Sequence, residues 1–549
     1  MIASPPTVHE AVNEYDASER RSILGAAVFI VFLTFAAYFN SLQGEFIYDD
    51  RASVVSNPSI QRLWPLGPVL SPPADATTGG RPFANLTFAL TFALSGLAPW
   101  GHHVANVGLH ALAALALFGV VRRTLRQPAL RGAFGPHAFG LAAMVAALWA
   151  VHPLATQVVA YVSQRTESLM ALFYLLTLYA FIRSGERRSR GWLFISVAAC
   201  LLGVLSKEVI ATAPVLVLLY DRTFVAGTFS AALRTRWRYY LALAATWLLL
   251  GWLLLDVRQR GVGFTSAPTW IEYPLTQCKA VLLYLKLSVW PHPLVFDYGP
   301  ERIAGFSAAA PYAAILATLL AVTVWALSRR PALGFAATAF FLVLAPTSSV
   351  VPIIFQPIAE NRAYLPLAAI LSLFVLGLHR LVGLRVLYFI GGPFVVLLFF
   401  LTYQRNQIYR TESSVWSDTL AKRPENPRAY YNLAVTHDTA RRYAESIPLY
   451  ETSLRLDPRQ PHAHNNLGIA LLQTGRAADA VRQFEQSVAQ LPDYADAHNN
   501  LAVSLSHVGR LAEAIAHAEI AVRIKPDYAD ARRNLGVLRS MHGKASSPQ

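Results

Sequence analysis

Two adjacent carboxylates, Asp49 and Asp50, stand in the stretch Glu45-Phe46-Ile47-Tyr48-Asp49-Asp50-Arg51. The stretch follows an apolar run, Ile23 to Phe39, of membrane-crossing length. Acids placed there sit at the water interface beside hydrocarbon. One carboxylate can accept a proton from an incoming hydroxyl while the other orients substrate. Position at the span end slightly favours Asp50 as the base. The plainer alternatives are two solvated loop acids, or an ion pair from Asp50 to Arg51.

Four more polar groups are expected on the same side of the bilayer: His102, His103, Asn106 and His110; His152 with Arg165 and Glu167; Lys207 with Glu208; and Glu360, Asn361, Arg362 and Tyr364. His103, Asn106 and His110 share one helix face by their i, i+3, i+7 spacing. Arg165 and Glu167 interrupt an apolar run, where a charge at mid-bilayer costs roughly 2.5–3.5 kcal/mol, so a cavity or a partner is required. Each group also has a structural reading: interhelical hydrogen bonds for the histidines, an internal ion pair for Glu360 and Arg362. Jointly, carboxylates and several cations suit a lipid-linked phosphate. Arg165, Lys207, Arg362 and His103 are the expected phosphate holders. His102, Asn106, His110, His152, Glu167, Glu208 and Glu360 are the expected supporting residues.

The elements that must position these groups are membrane helices. With 54% hydrophobic and 14% charged residues in 549, the first three quarters exclude an ordinary soluble domain. The formal charge of +15 suggests nucleic acid at first sight. However, Arg and Lys gather in alternate short loops, as the positive-inside rule predicts, which points to a lipid bilayer and no nucleic acid. Arg20 and Arg21 place the N-terminus in the cytoplasm, and the first span is expected to stay as an anchor. About eleven crossings are expected: 23–39, 104–121, 138–149, a fourth running past Arg165 to Arg183, then 192–205, 209–220, 239–255, 311–327, 332–344, 364–378 and 386–401. Residues 81–100 and 277–290 read as interfacial or re-entrant, and the loop after the fourth span carries Arg187, Arg188 and Arg190. Cys200 and Cys278 define neither a disulfide frame nor a metal site. No cofactor is expected, and a divalent metal is compatible with the site but not indicated.

The rest of the chain is organised by a period. Asn432, Asn466, Asn500 and Asn534 lie 34 residues apart, each followed by Leu; Pro424, Pro458, Pro492 and Pro526 keep the interval, as do Gly475, Gly509 and Gly543. This is the tetratricopeptide signature, an α-solenoid of helix pairs. The expected order is therefore a cytoplasmic segment (1–21), a membrane domain (22–404), a repeat domain (405–544) and a short tail (545–549). The asparagines should form a ladder on the first helices, whose amides can pair with a peptide backbone or simply with the neighbouring helix.

The runs EFIYDDRASVVSNPSI (45–60), RPFANLTFALTFALSGLAPWGHHVANVGLHAL (81–112), AVHPLATQVVAYVSQRTESL (150–169), LSKEVIATAPVLVLLYD (205–221), WPHPLVFDYG (290–299) and AENRAYLPL (359–367) resemble the transmembrane and tetratricopeptide-repeat (TMTC) O-mannosyltransferases and their bacterial relatives. That resemblance implies an all-α membrane helix bundle of glycosyltransferase superfamily C. It puts the catalytic carboxylate at Asp49 or Asp50. It implies a polyprenyl-phosphate sugar donor, mannose as the sugar, and protein Ser/Thr as acceptor, recruited by the repeats. The asparagine ladder is similar to that of the nucleocytoplasmic O-GlcNAc transferase, which implies that Asn432, Asn466, Asn500 and Asn534 hold an extended acceptor. Residue usage implies a bacterial inner membrane, with active site and repeats extracytoplasmic. A transferase acting on a lipid or glycan acceptor, and a non-catalytic repeat-bearing scaffold, are the alternatives.

Overall fold

The computed structural model describes residues 8–545 apart from 75, 188, 256–268, 304, 350–352, 354 and 355. Arg188, the loop expected after the seventh span and most of the expected tail lie outside the described residues. The chain forms two compact units, Met1–Phe296 with Glu301–Thr411, and Asp297–Pro300 with Glu412–Gln549.

The first unit contains α1 (Val8–Ala37), α2 (Leu66–Leu70), α3 (Pro82–Ser95), α4 (Pro99–Leu125), α5 (Pro128–Phe134), α6 (Ala138–Ala150), α7 (Thr156–Ala160) and α8 (Arg165–Arg187). It continues through α9 (Arg190–Val204), α10 (Ala213–Phe224), α11 (Phe229–Leu254), α12 (Thr269–Val289), α13 (Phe306–Arg329), α14 (Pro331–Leu344) and α15 (Pro366–Ile408). Each expected crossing overlaps one of these helices, the last two the halves of α15, although some ends, such as 38–39 and 209–212, fall outside them. That helix turns at Gly383, whose φ of 76° is a left-handed conformation that glycine adopts without cost. Among the described residues, six helical stretches are long and apolar enough to cross a membrane, including Pro99–Leu125, Val162–Arg187 and Phe306–Arg329. This is a multi-pass membrane protein.

At the centre, α4 packs on α1, α6 and α8. Small buried residues on α4 (Ala111, Ala113, Ala114) and α6 (Ala142, Ala146) let these backbones approach closely. Large apolar side chains such as Phe32, Trp252, Val324 and Phe389 point outward, as a helix surface facing lipid requires. The amphipathic α12 is different. Its buried face carries Tyr273, Gln277 and Tyr284, which hydrogen-bond Thr347 O, Pro357 O and Ala359 N, all in the segment between α14 and α15.

The second unit is a stack of helix pairs: α16 (Glu412–Lys422), α17 (Pro427–Thr439), α18 (Tyr443–Leu456), α19 (Pro461–Gln473), α20 (Ala477–Gln490), α21 (Ala495–His507), α22 (Leu511–Ile524) and α23 (Ala529–Ala545). One core runs through it, built from period-related residues such as Tyr450 with Phe484, and Leu467 with Leu501. Ser453 and Ser487, 34 apart, each donate to the carbonyl of the proline opening their repeat, Pro427 and Pro461. Gly475 and Gly509 take φ of 80° and 79° at the turn inside each pair; in the first repeat Arg441 occupies the same position at φ 58°. A non-glycine residue there costs about 1–2 kcal/mol, so the first turn is formed at a strain the later ones avoid.

Candidate active site

The acidic stretch folds as a tight turn whose two carboxylates have different surroundings. Asp50 is fully buried. Its Oδ2 accepts from Ile47 N at 3.1 Å and its Oδ1 from Ser163 N at 2.6 Å, which ties the turn to the segment before α8. Asp49 is half-buried, and its backbone N–H donates to the Tyr161 hydroxyl at 3.0 Å. Tyr48, immediately before it, sits at φ 44°. Strain of this kind persists only where surrounding contacts over-determine the backbone, and it concentrates at functional sites. Here those contacts are the Asp50 clamp and the Tyr161 hydroxyl. Tyr161 is fixed in turn against Phe296, at 5.3 Å between ring centroids, and Phe296 also packs edge-on against Tyr48.

Burial, opposed by the two backbone N–H groups and assisted by repulsion from Asp49, pushes the Asp50 carboxyl up to about 8. Its ordinary value is 3.8, so between those limits the folded protein holds a proton that the unfolded chain releases. This group's contribution to stability therefore falls as pH rises from about 4 to about 8. Asp50→Asn is expected to flatten that part of the stability profile while preserving the fold at neutral pH. Thermal melting of both proteins across that window checks it; parallel profiles would show that Asp50 stays ionised throughout. The two carboxylates thus differ in kind: Asp50 is buried and clamped by two backbone N–H groups, while Asp49 is half-buried.

The other expected site residues are brought together, mostly as one another's structural partners. Arg165 is fully buried; Nε donates to Asn106 Oδ1 (2.7 Å), Nη1 to Thr87 O and Thr91 Oγ1 (3.0 and 2.9 Å), and Nη2 to His102 O (3.0 Å). Its guanidinium lies 4.1 Å from the Phe88 ring centroid. Arg362 donates to the carbonyls of Thr347, Gln356 and Pro357 and to the Tyr273 hydroxyl. Lys207 pairs with buried Glu167. Asn106 donates to Val162 O; His110 bonds the Tyr364 hydroxyl and Ala150 O; His152 accepts from Leu154 N at the start of a helical turn. Glu360 accepts from Val295 N, and His102 bonds Gly96 O. His103 is buried, and neither ring nitrogen has a hydrogen-bond partner among the described residues. The described residues hold no group of three or more His, Cys, Asp or Glu that could take a metal.

Three residues absent from the sequence reading complete the site. Tyr161 and Ser163 hold the acidic turn, and Arg81, at the N-terminal end of α3, pairs with Glu208. An arginine directly before a proline that opens a helix was the available signal for Arg81.

In the second unit the asparagine ladder runs between first helices. Asn466 donates to the Tyr431 hydroxyl, Asn500 to Asn465 Oδ1 and Asn534 to Asn499 Oδ1, each reaching 35 residues back. Asn432, with no preceding rung, bonds Arg428 O in its own helix. The three bridging asparagines are half-buried and Asn432 is buried.

The family model described as "Tetratricopeptide repeat" matches residues 414–461 and 465–529. Among curated proteins, the chain is 29% identical to protein O-mannosyl-transferase Tmtc1 of Drosophila melanogaster, over 50% of this chain and 34% of that one. It is 25% identical to protein O-mannosyl-transferase F38B6.6 of Caenorhabditis elegans, over 76% of this chain and 62% of that one. Protein O-mannosyl-transferase Tmtc2 of Drosophila melanogaster is 30% identical over 50% and 30% respectively. The matched stretch thus spans from about a third to three fifths of these relatives' own length. The chain is thus similar to the TMTC protein O-mannosyl-transferases, as the motifs suggested, and carries a tetratricopeptide unit.

Proposed function

We propose that the chain is a membrane glycosyltransferase. It moves mannose from a polyprenyl-phosphate donor to Ser and Thr hydroxyls of extracytoplasmic proteins, which the tetratricopeptide unit recruits. The N-terminus is cytoplasmic, and the acidic turn and repeats lie outside a bacterial inner membrane. The observation that carries this reading is the acidic turn, a half-exposed carboxylate held on strained backbone by a buried one, in a chain similar to protein O-mannosyl-transferases. The acceptor oxygen attacks sugar C1 while Asp49 takes its proton, and the C1–O bond breaks with its electron pair leaving on the polyprenyl phosphate. Lys207 is the expected phosphate holder whose partner, a carboxylate, an incoming anion can replace; Arg165 and Arg362 serve by fixing the walls. The test is purified protein in lipid nanodiscs with labelled polyprenyl-phosphate mannose and Ser/Thr peptides. Label on a Ser or Thr, located by mass spectrometry, supports the reading. Label only on lipid or glycan acceptors favours the alternative transferase, and none on any acceptor favours a scaffold.

The ladder tests acceptor recruitment. A half-buried rung still offers a second N–H and an oxygen lone pair to a peptide backbone, although the Asn466 oxygen already accepts from Asn465 at 3.2 Å. Replacing Asn466 and Asn500 together by Ala is expected to lower transfer to a long acceptor about tenfold, the size of one or two hydrogen bonds. Transfer to a minimal acceptor should stay near normal. Equal loss for both would show that the ladder only holds the stack.

A further inference from the structure

Arg81 stands apart from the buried arginines of this region. Arg165 and Arg362 give their donors to uncharged oxygens, mostly backbone carbonyls, which a phosphate could reach only by stripping hydrogen bonds from the walls. Arg81 instead faces a carboxylate. Its Nη2 donates to both oxygens of Glu208 at 3.1 Å, and its Nη1 donates to Thr77 O at 2.9 Å. Its Nε is buried with no hydrogen-bond partner among the described residues. The pair reaches water, with side-chain exposures of 16% for Arg81 and 34% for Glu208, whereas the adjoining Lys207–Glu167 pair is buried at 11% and 3%. Hydrogen bonds also connect Arg81 to the acidic turn. Ser53 N donates to Asp49 O at 3.0 Å, and Ser53 Oγ meets Thr77 Oγ1 at 2.6 Å, in the residue whose carbonyl Arg81 grips.

A guanidinium whose Nη2 already serves two carboxylate oxygens is arranged to serve oxygens of a phosphate in their place. Exchange leaves no donor unsatisfied, and the unpaired Nε is a further donor for the phosphate, most of all for the oxygen freed when the sugar leaves. Glu208, with its side chain 34% exposed, stands beside water.

We propose that Arg81 binds the phosphate of the donor, and that Glu208 occupies the phosphate's place between turnovers and competes with the departing polyprenyl phosphate. This rests on the transferase reading above, so its test reads binding without turnover. The probe is farnesyl monophosphate, titrated into the full-length protein in detergent, with inorganic phosphate and farnesol as comparison ligands and thermal melting as the folding control. Arg81→Ala should weaken binding roughly tenfold or more, and Arg81→Lys less, because an ammonium keeps the charge but lacks the Nε donor and the Nη1 bond to Thr77 O. Glu208→Gln and Glu208→Ala should tighten it roughly threefold to fivefold, the size a part-exposed ion pair supports. Opposite shifts for farnesyl monophosphate, with farnesol unaffected, support the site; the same pattern with inorganic phosphate supports it as a phosphate site that does not need the tail. A purely structural pair predicts shifts of the same sign, or none, at both positions in proteins that still melt normally, and that result overturns the proposal. Loss of transfer in the wild type with this binding pattern intact would instead count against the transferase reading alone.

Discussion

Replacing Asp49 by Asn is expected to lower sugar transfer by about 10²–10⁴-fold, the usual worth of a positioned proton acceptor, with little change in melting temperature. The reasoning is geometric. Asp49 is the half-buried member of the pair, and its backbone is held through the Tyr161 hydroxyl and follows the strained Tyr48. Asp50 has the opposite character: buried, accepting from two backbone N–H groups, and pushed toward neutrality by burial. Asp50→Asn should therefore reduce transfer less than Asp49→Asn does, by loosening the turn that aims Asp49. Turnover of both proteins, measured at matched expression and folding, decides between them. Wild-type rates in Asp49→Asn, or a larger loss in Asp50→Asn at equal stability, would return the base to Asp50 or to another group.

The helical crossings and the repeats were legible because their signals are periodic and local. Apolar length and a 34-residue interval each report on one segment at a time, and each expected apolar run overlaps a helix, six helical stretches being long and apolar enough to cross a membrane among the described residues. The site was legible only as a set of neighbours. His103, Asn106 and Arg165 do converge, but sequence spacing says nothing about which oxygens a buried guanidinium will find. Those of Arg165 lie on Thr87, Thr91, His102 and Asn106, between 59 and 78 residues away. Arg81 was passed over for the same reason, since the carboxylate that gives it meaning is 127 residues distant. The ladder shows a subtler limit. The 34-residue period places the asparagines correctly, yet the hydrogen bonds step by 35, because each rung reaches the residue one place before its own equivalent in the preceding repeat.

The second large effect is expected at Arg165, and it concerns stability. Arg165→Ala removes four hydrogen bonds and the guanidinium over Phe88, and leaves a void where a large buried side chain stood. Some acceptors are partly covered without it: Thr87 O still receives the Thr91 hydroxyl at 2.8 Å. Asn106 Oδ1 loses the 2.7 Å bond from the guanidinium, and the Asn106 amide also steadies Val162 O, one residue from the backbone N–H that holds Asp50. An orphaned buried acceptor costs about 1–3 kcal/mol, and emptying a large buried side chain's site adds a similar or greater amount, so a loss on the order of 3–5 kcal/mol is expected. Against a typical total of about 5–15 kcal/mol, that should sharply lower the yield of folded protein and its melting temperature in detergent. Arg165→Lys should rescue little, because one ammonium cannot reach oxygens that a planar guanidinium meets on three sides. Size-exclusion profiles and thermal melts of the two variants beside wild type provide the measurement. A normally folded, normally melting Arg165→Ala protein that had lost only its affinity for farnesyl monophosphate would overturn this assignment and make Arg165 a phosphate ligand.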